Sequence, residues 1–103
     1  MEEKLYLAML HKMGIGHKKL HLIFSDNSNY KDFYTNLSSD ILKKYNFLDK
    51  QIEFLLENKN KFKFEDLERK LDSRKAQIVT INDELFPDFL KEIPNIPYLF
   101  YLR

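Results

Sequence analysis

Glycine occurs only twice in these 103 residues, at Gly14 and Gly16 on either side of Ile15, and that pair dictates where the front of the chain turns. Glycine takes positive φ without strain and ends a helix readily. Ahead of the pair, Leu5, Ala8, Met9 and Met13 recur at helical spacing, and Glu2 and Glu3 suit the positive end of a helix dipole. A helix is therefore expected from Glu2 to about Met13. Behind the pair, His17 opens a second helix that turns Leu20, Ile23 and Phe24 inward. After a polar turn over Ser25–Asn29, a short helix buries Tyr30, Phe33, Tyr34 and Leu37. Ser38 or Ser39 caps the next, which runs through Tyr45; Asn46-Phe47 breaks it, and Leu48 to about Asn58 continues on Ile52, Leu55 and Leu56. Residues 59–63 read as a basic connector, and Phe64 to about Ser73 as the last helix, aligned on Phe64, Leu67 and Leu71. The chain shows no internal period and no low-complexity tract.

The order helix, glycine turn, helix across Leu10–Phe24 is the helix-hairpin-helix pattern, whose chemistry lies in the backbone. With no side chains in the way, a phosphate can approach, and the N–H groups of Gly16, His17 and Lys18 stand at a helix start, where unpaired donors and the dipole favour an anion. Ile15 pins the turn to the core. Lys18 and Lys19 add charge, as does Lys12, and no acidic residue occurs between Lys4 and Asp26. The candidate DNA-binding residues are thus Gly14, Ile15, Gly16, His17, Lys18 and Lys19. The same turn is equally a way to pack a corner. Ile41–Tyr45, Asn46-Phe47 and Leu48–Asn58 read as a degenerate second hairpin that lacks both glycines and only packs.

Composition narrows the remaining chemistry. Seventeen basic against sixteen acidic residues exclude a generally basic nucleic-acid coat, so any such binding is local. There is no cysteine, no stretch approaching membrane-span length, and the start Met1-Glu2-Glu3 is unlike a signal peptide, so a cytoplasmic protein is expected. His11, His17 and His21 fall close together, but no carboxylate or cysteine lies nearby to complete a tetrahedral metal set. The carboxylates Asp40, Asp49, Glu53, Glu57, Glu65, Asp66 and Glu68 fall on solvated helix faces, and no acid–base pair stands out. No catalysis, metal or cofactor is expected.

The last quarter changes character. Ile78, Val79 and Ile81 form a β-branched run, Asn82-Asp83 breaks it, Phe86 to Ile93 is a short amphipathic turn of helix, and Pro94 and Pro97 lead into the apolar run Tyr98–Leu102. A run without alternation is how a strand covered on both faces looks, and these residues alone cannot cover it. Something outside them is expected to complete the sheet.

Asn82, Phe86, Pro87, Leu90, Lys91, Glu92, Ile93, Pro94, Pro97 and Leu99–Leu102 together resemble the opening of the Rossmann-like domain of the DNA-processing protein DprA (Smf) family, with Phe86 where that family usually has tyrosine. Helical SAM-like domains of the tandem-hairpin type precede that part in many members. The resemblance implies a mainly α fold: a tandem helix-hairpin-helix domain over 1–72, then a short incomplete α/β segment over 73–103, the first β-α-β step of a truncated Rossmann-like domain. It also implies an accessory role in DNA processing during natural transformation and competence, with single-stranded DNA and the recombinase RecA as partners of the whole protein. The family's G-S-R and S-G-x-A-x-G segments, its principal DNA-binding and self-association residues, lie downstream, and no glycine follows Gly16 here. The chain reads either as a fragment or as a shortened product whose sheet a partner completes. A protein-interaction module, docking or forming a homodimer through the helical half and an open strand edge, is the alternative.

Overall fold

The computed structural model describes residues 3–25 and 29–102, so Glu2, residues 26–28 of the expected polar turn, and Arg103 lie outside it. The described chain is mainly helical, with six α-helices followed by a small antiparallel sheet: α1 Glu3–Met13, α2 His17–Ile23, α3 Tyr30–Thr35, α4 Ser39–Lys44, α5 Asp49–Lys61, α6 Phe64–Ser73, then strands β1 Gln77–Thr80 and β2 Leu99–Leu102. No helix among the described residues is long and apolar enough to cross a membrane.

α1 is the central post. Its residues Leu7 to Leu10 and Met13 are buried, and it packs against α3, α5, α6 and β1. Burial around most of its circumference is why its apolar positions exceed a single stripe. The surrounding helices each give a narrower face, with Leu20 and Ile23 from α2, Leu42 from α4, Ile52 and Leu55 from α5, and Leu67 from α6. Caps fall where short polar side chains permit. Asn29 Oδ1 accepts from the Asp32 amide and Ser38 Oγ from the Ile41 amide, which starts α3 and α4.

Two expectations need correction here. Lys59–Lys61 are the last turn of α5 rather than a connector, which ends only at Phe62-Lys63. Cations at the carbonyl end of a helix are electrostatically at home, so the basic run extends the helix instead of breaking it.

The second correction concerns the C-terminal quarter. β1 and β2 pair antiparallel, with Val79 opposite Phe100 and Thr80 opposite Leu99, and the turn of helix expected over Phe86–Ile93 is a 3-10 helix of five residues, Asp88–Glu92. Proline on both sides of so short a segment leaves too few amides for an α-helical ladder. β2 is not covered on both faces. Leu99 is buried, while Tyr101 and Leu102 are about 40% exposed. Tyr98, just ahead of the strand, is buried against Phe24 and Tyr30, and its hydroxyl lies 3.0 Å from that of Tyr30. On the face away from Leu99, Phe86 folds back onto Phe100 at 5.6 Å between ring centroids. Its loop is held by the Asp83 carboxylate, which accepts from the Thr80 amide at 2.8 Å and pairs with Lys4 at 2.7 Å.

Candidate functional site

The first turn is a Schellman closure of α1. The Gly14 amide donates to the His11 carbonyl at 3.1 Å and the Ile15 amide to the Leu10 carbonyl at 3.2 Å, the pairing that satisfies carbonyls at a helix end. Gly14 has φ of 127°, open to glycine and strained for other residues. Gly16 does not use that freedom. Its φ is −74° and ψ 167°, ordinary extended geometry, and a Cβ placed on it would meet nothing within 4 Å. Of the two glycines, only Gly14 is needed by the backbone. Ile15 is fully buried and anchors the turn.

α2 then begins bare. Its first backbone bond runs from the Leu20 amide to the Gly16 carbonyl at 3.0 Å, so the amides of His17, Lys18 and Lys19 precede any carbonyl the helix itself could offer. Gly16 supplies no side-chain cap, and no acidic residue lies in the first turn.

The second turn, between α4 and α5, repeats this construction residue for residue. Asn46 donates to Lys43 and Phe47 to Leu42, as Gly14 does to His11 and Ile15 to Leu10; Ile52 donates to Leu48 as Leu20 does to Gly16. Leu10, Gly14, Ile15, Gly16 and Leu20 thus correspond to Leu42, Asn46, Phe47, Leu48 and Ile52 at a constant offset. The sequence hides this period because different residues meet the same need. Asn46 takes the left-handed position at φ 64°, which asparagine tolerates better than most non-glycine residues. What differs is the exposed edge. Leu48 replaces Gly16, Asp49 puts a negative charge in the first turn, and the Gln51 side chain accepts from the Leu48 amide at 2.9 Å. The second turn therefore closes the Leu48 amide with its own side chain.

The basic residues divide by role. Lys18 is exposed beside the bare amides. Lys19, expected to reach towards an anion, instead donates to the carbonyls of Tyr45 at 2.7 Å and Asn46 at 3.3 Å, with its ammonium 4.9 Å from the Phe47 ring centre. It ties the two turns together at the negative end of α4. Lys12 lies over Phe62 at 5.3 Å. Asn58, buried on α5, donates to the Met13 carbonyl at 2.7 Å and so fixes the end of α1 from below. Neither Lys19 nor Asn58 had a local signal of these roles, because both partners are remote in sequence.

The histidines are structural partners rather than a ligand set, and no group of three or more His, Cys, Asp or Glu among the described residues could hold a metal. His11 Nδ1–H donates to the Ile15 carbonyl at 2.9 Å and His21 Nε2–H to the Ile96 carbonyl at 2.7 Å. His17 Nδ1 accepts from the Tyr98 amide at 3.1 Å. That bond requires a neutral imidazole, with its proton on Nε2. Burial, then the neighbouring His11 and His21, hold the His17 pKa below its usual 6.5. Below that value the unfolded chain binds the proton more readily than the folded one. The stability His17 contributes is therefore complete above pH 6.5 and is lost as the pH falls through it towards the folded value. Urea unfolding at pH 7.5 and 5.5 should show lower stability at the acidic value, and His17→Asn, which keeps an acceptor near Nδ1 but does not titrate, should shrink the difference.

No family model matches this chain, and no curated protein or solved structure is significantly similar to it.

Proposed function

We propose that this chain is a non-catalytic accessory DNA-binding domain of a DprA-like recombination mediator, of tandem helix-hairpin-helix, SAM-like type, which contacts phosphates through its first hairpin. The observation that carries the reading is Gly16. Neither its dihedrals nor its surroundings demand a glycine, yet the missing side chain leaves the start of α2, with the amides of His17 and Lys18, without a side-chain cap beside the exposed Lys18. The second hairpin is the internal contrast, with Leu48 in place of Gly16, Asp49 placing a negative charge in the first turn, and Gln51 taking the Leu48 amide. A phosphate seated on backbone donors carries no sequence information, so binding is weak and sequence-independent. With two or three phosphates engaged, the slope of log affinity against log salt should be about −1.4 to −2.1 on a single strand and about −1.8 to −2.7 on a duplex.

Gly16→Val is the discriminating variant. It should melt like the parent, because a side chain there meets open space, while losing retardation of a labelled oligonucleotide; Lys18→Glu should do the same. Unchanged binding by a folded Gly16→Val protein would remove the hairpin as the site. Lys19→Glu is a poorer probe, since it also breaks the tie to Tyr45 and Asn46.

A second reading, a protein-interaction module, rests on Leu85, Phe89, Ile93 and Leu102, large apolar residues exposed along the C-terminal segment. Concentration-dependent dimerisation without oligonucleotide retardation would favour it.

A further inference from the structure

A half-open cavity of about 360 Å³ lies where the end of α1, the C-terminal half of α6 and the end of β2 meet, bounded by Lys12, Lys70, Arg74 and Tyr101 over a floor containing Leu67 and Leu71. Three cationic side chains converge on it, and none is ion-paired with a carboxylate among the described residues. The ion pairs among the described residues are Lys4–Asp83, Arg69–Asp66 and Lys91–Asp88. Asp66 is the acidic group that bears on Lys12, and Arg69 already engages it at 3.6 Å. Lys12 and Lys70 are close enough to repel: burial first, and then Lys70, hold the Lys12 pKa below the usual lysine value despite Asp66. Like charges gathered over an apolar floor are unfavourable in the empty protein, and an anion relieves the strain.

The cavity also has a flat wall. Tyr101 shares a sheet face with Leu99, turned towards the helices, and burial raises the pKa of its hydroxyl. A ring beside three cations suits a ligand with a phosphate at one end and a flat apolar body at the other. The volume lies near the low end of sites that hold small molecules, ~300–1,000 Å³.

We propose that this cavity is a nucleotide site, in which Lys12, Lys70 and Arg74 hold a phosphate ester while its base lies against Tyr101 and the leucine floor. The nucleotide is either free or one unit of a single strand. The inference does not depend on the hairpin reading, because it uses none of the bare amides.

Titration of the 15N-labelled protein with dTMP, inorganic phosphate and a short oligothymidylate tests it. dTMP should shift the amide signals of Lys70, Arg74 and Tyr101 and bind more tightly than inorganic phosphate. Lys70→Ala/Arg74→Ala, at two exposed positions, should weaken dTMP at least about tenfold without altering melting. Tyr101→Ser should weaken dTMP more than phosphate. Displacement of dTMP by the oligothymidylate marks a strand as the source, and failure to displace it marks a free nucleotide. Absence of dTMP shifts at these residues, or equal dTMP binding by the double variant, overturns the proposal. Loss of oligonucleotide binding in Gly16→Val with dTMP binding intact separates the two sites. dTMP binding by a protein that never retards an oligonucleotide sinks the hairpin reading alone.

Discussion

Valine at position 14 should lower the unfolding free energy by about 2 kcal/mol, while alanine at position 16 should be neutral or slightly stabilising. The two glycines flank one residue, yet their backbones differ. At φ of 127° Gly14 occupies territory that a β-branched residue enters only under strain. A Cβ there would approach Phe54 Cε2 at 2.9 Å, but Phe54 is more than half exposed and its ring can swing away. The dihedral, not the contact, therefore sets the cost. Gly16, at φ −74° with no neighbour within 4 Å, gives up only the entropy of its unfolded chain when replaced by alanine. Denaturant melts of Gly14→Val and Gly16→Ala measured side by side check the contrast, and comparable losses at both positions would contradict it.

Leu10→Ala should be costlier still, about 3 kcal/mol. Leu10 is fully buried on the central helix, so truncation removes apolar contact and leaves a cavity that rigid neighbours fill only partly. Its backbone carbonyl would still receive the Ile15 amide, so the turn keeps its closure and the loss is one of packing alone. The readout is a lower urea midpoint with an unchanged m-value; a change in m would point instead to partial unfolding. A loss under 1 kcal/mol would mean that the core closes around the gap.

Much of the helical architecture was legible because it depends on short-range periodicity. The stripes through Leu5–Met13, Ile52–Leu56 and Phe64–Leu71 each return as helices within a few residues of the expected ends. The glycine turn was legible for the same local reason, and so was the anchoring of Ile15. What escaped depends on residues brought together from afar. Lys19 reads as a free cation until the Tyr45 and Asn46 carbonyls are beside it. The histidines read as a metal question until Ile96 and Tyr98 supply their partners. The run Tyr98–Leu102 reads as doubly buried because sequence cannot tell a strand inside a sheet from one whose aromatic Tyr98 dives into the helical core while Leu102 faces outward. Of the candidate residues, the turn at Gly14–Gly16 was readable and the partners of Lys19 and His17 were not.

Twin corners of equal backbone design let one specialise without endangering the architecture. The copy built on Asn46 and Phe47 can serve as a mechanical brace, with its helix-end carbonyls paired and its Leu48 amide held by Gln51. The copy built on Gly14 and Ile15 inherits the same scaffold at no further structural demand. A lone corner would have had to hold the bend unaided, and any substitution that disturbed it would have had no second brace behind it.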